Sequence, residues 1–152
     1  MNIIEIVGTT LYVVLLGIVT GGYVAAAWSP FLLLSSIRPL FRIGPSDDWI
    51  TNYLIGMTGI GIVHIAVVVA GTLLIGTAFA PLEILFYSGV GVAVFAMAFC
   101  GTVLPALGHN WTESEDWFVS SLSLLGGGIW YAGITIIPPF ILWTMYLARF
   151  QP

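Results

Sequence analysis

The sequence predicts an all-α fold: an integral membrane bundle of four transmembrane helices with short loops, the first helix kinked at Pro30 and the fourth at Pro138-Pro139. Three observations carry this expectation. Apolar residue types make up 59% of the 152 residues, with a mean hydropathy of +1.08. Charged residues make up 7%, against roughly 25% in an ordinary soluble domain. The apolar residues also fall into four runs that can each cross a bilayer core of about 30 Å, which takes about 20 helical residues. A soluble chain this short leaves much of its surface in water and could not bury so much apolar area. The runs are continuous rather than alternating in and out over about ten positions, which selects helices over a β-barrel. Residues 1–152 are read as a single transmembrane domain.

The first run spans about Ile6 to Trp28, and no charge falls between Glu5 and Arg38. Glu5 stands where a basic leader segment would begin, so no cleavable leader is expected. Ser29-Pro30 stops or kinks this helix, because proline lacks a backbone donor and clashes with the preceding turn. Residues 31–43 (FLLLSSIRPLFRI) are apolar but carry Arg38, Pro39 and Arg42. They form either an interfacial stretch or a kinked extension of the first helix. Gly44-Pro45-Ser46-Asp47-Asp48 reads as a turn followed by an acidic cap at the positive end of the second helix.

The second run spans about Trp49 to Ala78 and the third about Leu82 to Leu107. Only Thr77 to Ala80 separate them, so these helices must be antiparallel neighbours. Pro81 suits a first helical turn and Glu83 the dipole-favoured end. Thr112-Glu113-Ser114-Glu115 fits a capping box ahead of the fourth run, about Trp117 to Leu147. Trp28, Trp49, Trp111, Trp117 and Trp143 fall near helix ends, where indoles favour the lipid–water interface.

Lipid tails are as apolar as leucine, so helices associate through close backbone approach, which needs small residues. The first helix offers Gly17, Gly21 and Ala25. The second offers Gly56, Gly59, Gly61, Ala66 and Ala70, and the third Gly89, Ala93 and Ala96. These faces serve a compact bundle or the docking of neighbouring subunits. Gly126-Gly127-Gly128 and Pro138-Pro139 make the fourth helix the least regular. It is a kinked packing helix or, with Trp130 and Tyr131, a surface for a flat ligand.

The charges are three arginines, no lysine and seven acidic residues, a net of −4. That excludes the basic footprint of a nucleic-acid binder and leaves the lipid bilayer and other membrane subunits as the expected partners. Arg38 and Arg42 outnumber Arg149, so the positive-inside rule places both termini on the non-cytoplasmic side. Cys100 is the single cysteine, which excludes an internal disulfide and reads as a small buried hydrophobe.

His64 is the first candidate for function, since an ionisable group deep in a span is expensive and conspicuous. Gly61, one turn earlier, leaves room beside the imidazole for a planar macrocycle, a quinone headgroup or another helix. Three readings follow: a neutral imidazole bonded to a neighbouring helix, a ligand or contact of a haem, quinone or pigment shared with a partner subunit, and a proton relay. His64 and His109 differ in depth by on the order of 15–20 Å at 1.5 Å per residue, too far to clamp one iron. His109 with Glu113, Glu115 and Asp116 is a solvated turn or a divalent-cation loop. No catalytic constellation is present.

Pro81-Leu82-Glu83-Ile84-Leu85 and Gly101-Thr102-Val103-Leu104-Pro105 resemble two short strings of the cytochrome b superfamily. They cover ten of 152 residues. The paired helix histidines of that family are absent, and no residue role is carried over. The functional expectation is a non-catalytic small subunit of a multi-subunit membrane complex in energy conversion or electron transport. The alternatives are a small oligomeric transporter or channel, and a stand-alone membrane cofactor-binding protein.

Overall fold

The computed structural model describes residues 3–75, 81–111 and 117–150. It is an all-α four-helix bundle, with no strand among the described residues. Helix α1 is Ile3–Trp28, α2 is Trp49–Ile75, α3 is Pro81–Ala98 and α4 is Trp117–Phe150. Each lies in a segment long and apolar enough to span a membrane. Helix α4 has 34 residues, about 51 Å at 1.5 Å per residue, and so extends beyond the hydrocarbon core. The α2–α3 connection and the capping box at Thr112-Glu113-Ser114-Glu115 lie outside the described residues.

Glycine faces pair the helices. A Cβ on Gly17 would stand 2.6 Å from the Ile62 Cα, and one on Gly21 2.6 Å from the Thr58 Cα. Gly61 sits in turn against the backbones of Gly17 and Gly21. The α1–α2 contact is thus a backbone-to-backbone approach, the arrangement by which transmembrane helices gain packing. On the other side, a Cβ on Gly89 would meet the Thr135 Oγ1 at 2.9 Å, joining α3 to α4.

Residues 31–43 do not lie flat on the bundle. After α1 the chain makes two 3-10 turns, Ser29–Leu33 and Arg38–Arg42, and folds back over the helix ends. Ile37 is fully buried and Phe41 nearly so. Phe41 packs edge-on to Trp28 and Tyr53, with centroids 5.9 and 5.0 Å away. Asp48 then caps α2: its carboxylate accepts from the Thr51 N–H at 2.9 Å, the Thr51 hydroxyl at 2.7 Å and the Ile50 N–H at 3.3 Å.

Proline removes backbone donors inside a membrane, so the carbonyls it strands need other partners. Helix α4 continues through Pro138-Pro139, and the carbonyl one turn before Pro138 belongs to Ile134. The Tyr23 hydroxyl donates to it from α1 at 2.9 Å. Pro30 strands the Ala26 carbonyl in the same way, and the Ser29 hydroxyl donates to that at 2.8 Å. The neighbouring Ala25 and Ala27 carbonyls accept from the Tyr53 hydroxyl at 2.5 Å and the Trp130 indole at 2.8 Å.

The third case is in α3. Past Ala98 the helix widens into a π-helical stretch, Phe99–Val103, before a last short turn, Leu104–Ala106. The Leu104 N–H reaches the Phe99 carbonyl and so skips that of Cys100. In π register the Cys100 carbonyl would wait for the N–H of residue 105, which is a proline. The Trp111 indole fills the gap at 2.6 Å.

The expected aromatic belt is therefore only partial. Trp28 and Trp111 are 5% and 4% exposed, inside the bundle rather than at a lipid interface. Their N–H groups are drawn inward by backbone carbonyls, Gly127 at 3.0 Å for Trp28 and Cys100 for Trp111. Trp117 does lie outside, 67% exposed.

Candidate functional site

His64 lies deep in α2 and is 3% exposed. Its Nδ1 stands 2.6 Å from the Tyr131 hydroxyl of α4, and its Nε2 stands 3.2 Å from the Ser88 hydroxyl of α3. Ser88 in turn donates to the Leu85 carbonyl at 3.0 Å. That last bond uses the one proton of the Ser88 hydroxyl, so the hydroxyl can only accept from His64. The imidazole therefore donates from Nε2, and in the neutral ring that leaves Nδ1 to accept from Tyr131. All three side chains are buried, and together they tie α2, α3 and α4 at one depth.

This is the first of the three arrangements the sequence suggested, an imidazole held by hydroxyls of neighbouring helices. Both ring nitrogens are engaged, so a metal bond to His64 would have to displace either Tyr131 or Ser88. Gly61 does not open beside the imidazole. The space over it is filled by α1 at Gly17 and Gly21. The two residues singled out from sequence thus face different neighbours. His109 is exposed in the loop after α3, and Glu113, Glu115 and Asp116 lie outside the described residues.

Close to the histidine lies a feature the linear pattern did not indicate. A groove of about 380 Å³ lies between α2 and α3. Gly56, Gly59 and Val63 form its α2 wall, and Phe95, Ala96 and Phe99 its α3 wall. Gly127, Gly128 and Tyr131 of α4 lie at its base. Among the described residues no charged side chain lines it. Tyr131 is shared, belonging both to the groove and to the His64 cluster.

The glycine triplet of α4 does receive a flat group, but one from this chain. The Trp28 indole covers Gly127, where a Cβ would come within 3.0 Å of its Cε2, and donates to the Gly127 carbonyl. Apart from the Tyr131 hydroxyl, which His64 engages, the polar groups of the groove lie at one end. Asn52 accepts from the Ser46 N–H at 3.0 Å through Oδ1 and donates one amide N–H to the Ser46 carbonyl at 2.7 Å. Its amide nitrogen carries a second N–H. Cys100 lines the same groove. It lies near the end of α3, which runs antiparallel to α2, so both polar groups belong to the same end.

Residues 8–149 match a family described as Domain of unknown function (DUF8162). The chain belongs to that family. Neither the curated proteins nor the solved structures include a match to it. The family description assigns no role, and the chemistry of this DUF8162 chain rests on its own geometry. Sequence reasoning placed His64 but missed Ser88 and the groove. Ser88 is a hydroxyl deep in an apolar run, the kind of residue expected to pair with a polar group on another helix.

Proposed function

We propose that the chain is a non-catalytic subunit of a multi-subunit membrane complex in energy conversion or electron transport, where it contacts a quinone, haem or pigment. One observation carries the reading. Gly8, Gly22 and Gly91 face outward, and a Cβ on any of them would meet nothing within 4 Å. A helix-interior glycine costs about 1 kcal/mol relative to alanine, and packing within this chain does not offset that cost at these positions. Gly8 and Gly22 lie on one side of α1, with the exposed Leu11, Leu15 and Val19 between them. Such a face suits another subunit's helix, because small residues let two backbones approach in lipid. The engaged nitrogens of His64 favour contact through the groove over a metal bond. The described lining of the groove, free of charged side chains, argues against an ion or polar-solute pathway.

In this reading both termini lie on the non-cytoplasmic side, with Arg38 and Arg42 at the cytoplasmic face. The test is purification of the native chain in mild detergent, with its mass and visible spectrum recorded. Large copurifying membrane partners, lost in a Gly22→Leu, Gly91→Leu variant that keeps its helicity, are the expected result. A homo-oligomer that conducts solute in liposomes, or a stable monomer without partners, overturns it.

A further inference from the structure

The groove between α2 and α3 has the size, polarity and wall chemistry of a site for one class of molecule. An apolar protein cavity of about 150 Å³ accepts a benzene, and this one holds about 380 Å³. That is room for a ring with its substituents and a first length of hydrocarbon chain. It is far too small for a helix about 10 Å across.

The two walls are unlike. On α2, Gly56 and Gly59 present bare backbone, with nothing within 4 Å of a Cβ. On α3, Phe95 and Phe99 stack with centroids 6.2 Å apart, and both line the groove. A glycine wall facing an aromatic wall leaves a slot suited to a flat ring. The polar end holds Asn52 and Cys100, whose second amide N–H and thiol are the donor types present there. The other end, towards mid-membrane, has Val63 and Val92. Among the described residues no arginine lines the groove to pair with an anionic headgroup.

We infer that the groove binds a prenyl-quinone-class molecule, its carbonyl-bearing ring between Gly56/Gly59 and Phe95/Phe99 near Asn52, and its tail leaving past Val63 and Val92. The inference deepens the reading above by naming the ligand and its seat, and the two can fail separately. The ring carbonyls accept hydrogen bonds, which matches the donors at that end. The apolar tail runs into hydrocarbon, where burial is favourable and the polar group on the wall, the Tyr131 hydroxyl, is already engaged by His64.

The test uses the full chain in lipid nanodiscs and a benzoquinone carrying a ten-carbon chain as probe. Binding is read as saturable quenching of tryptophan emission, to which Trp28 on the groove wall contributes. Gly56→Leu and Gly59→Leu each place a side chain into open groove space and leave the bundle's own contacts alone. Both are expected to weaken binding about tenfold or more, with unchanged helicity and thermal midpoint. Ala96→Phe closes the slot from the opposite wall and is expected to do the same. Gly91→Leu, on the outer face of α3, is expected to bind as wild type. Absence of saturable binding in the wild type, or leucine variants that bind like it, overturns the assignment whatever partners copurify. Probe binding without native partners upholds the groove and counts against the subunit reading alone.

Discussion

Replacing Tyr131 by phenylalanine deletes the hydroxyl that donates to His64 Nδ1 at 2.6 Å. The imidazole keeps its Nε2 bond to Ser88 and is left with a buried lone pair. In a water-soluble core that would cost about 1–3 kcal/mol. In lipid the unfolded reference also finds partners, and measured couplings between transmembrane polar pairs average about 0.6 kcal/mol and reach about 1.7. A loss of about 1 kcal/mol is therefore expected for Tyr131→Phe. His64→Leu strands the Tyr131 hydroxyl but leaves Ser88 its bond to Leu85, so the loss is expected to be somewhat larger. The double variant removes both members of the buried pair. It should be less destabilised than the sum of the singles by about 1 kcal/mol. Equilibrium unfolding in mixed micelles, followed by circular dichroism, reads all four corners of the cycle. Additivity within about 0.3–0.5 kcal/mol would refute the clasp as an energetic unit. Imidazole nitrogen chemical shifts give an independent check, because the geometry requires the proton on Nε2.

Gly61→Ala drives a Cβ into the Gly17 and Gly21 backbones; overpacking of this kind costs about 1–3 kcal/mol, and a similar loss in micelle unfolding is expected, against little change for Gly22→Ala. Trp111→Phe withdraws the donor of the Cys100 carbonyl and is expected to cost about 1 kcal/mol; adding Pro105→Ala restores a backbone N–H beside that carbonyl and should recover part of the loss. The Asp48 carboxyl is held below its ordinary pKa, first by the Thr51 hydroxyl and then by the Thr51 N–H, with desolvation opposing. A pKa depressed on folding adds stability above the unfolded value, and that stability is lost as pH falls through the folded one. Amide exchange at Ile50 and Thr51 should therefore accelerate, relative to mid-α2 amides, only below the ordinary carboxylate range, and Asp48→Asn should remove this pH dependence.

Much of the fold was legible because the bilayer imposes a length, and the four runs answer it. The Asp48 cap was legible because an acidic residue followed a Gly-Pro turn. The Gly17, Gly21, Ala25 ladder was legible because small residues at four-residue spacing share a helix face. Helix pairing was harder to read. A lipid-facing side and a core-facing side are equally apolar, so no periodic contrast tells Leu15 from Val24. The same ambiguity hid the groove, whose glycines look in sequence like those that pack. Position alone sends Trp28 and Trp111 to the interface; what holds them inside is a carbonyl in need of a donor, visible only once the backbone is followed. His64 stood out by its cost, but its partners are hydroxyls 24 and 67 positions away.

The hydrogen bonds between the first and last helices bear on how the chain is made. Tyr23 reaches Ile134, Trp28 reaches Gly127, and Trp130 reaches back to Ala27. Until the ribosome has delivered α4, Ala27 lacks the indole that serves it here. A product truncated before α4 would leave that carbonyl without this donor. Helix α4 thus acts as a latch on the far end of α1.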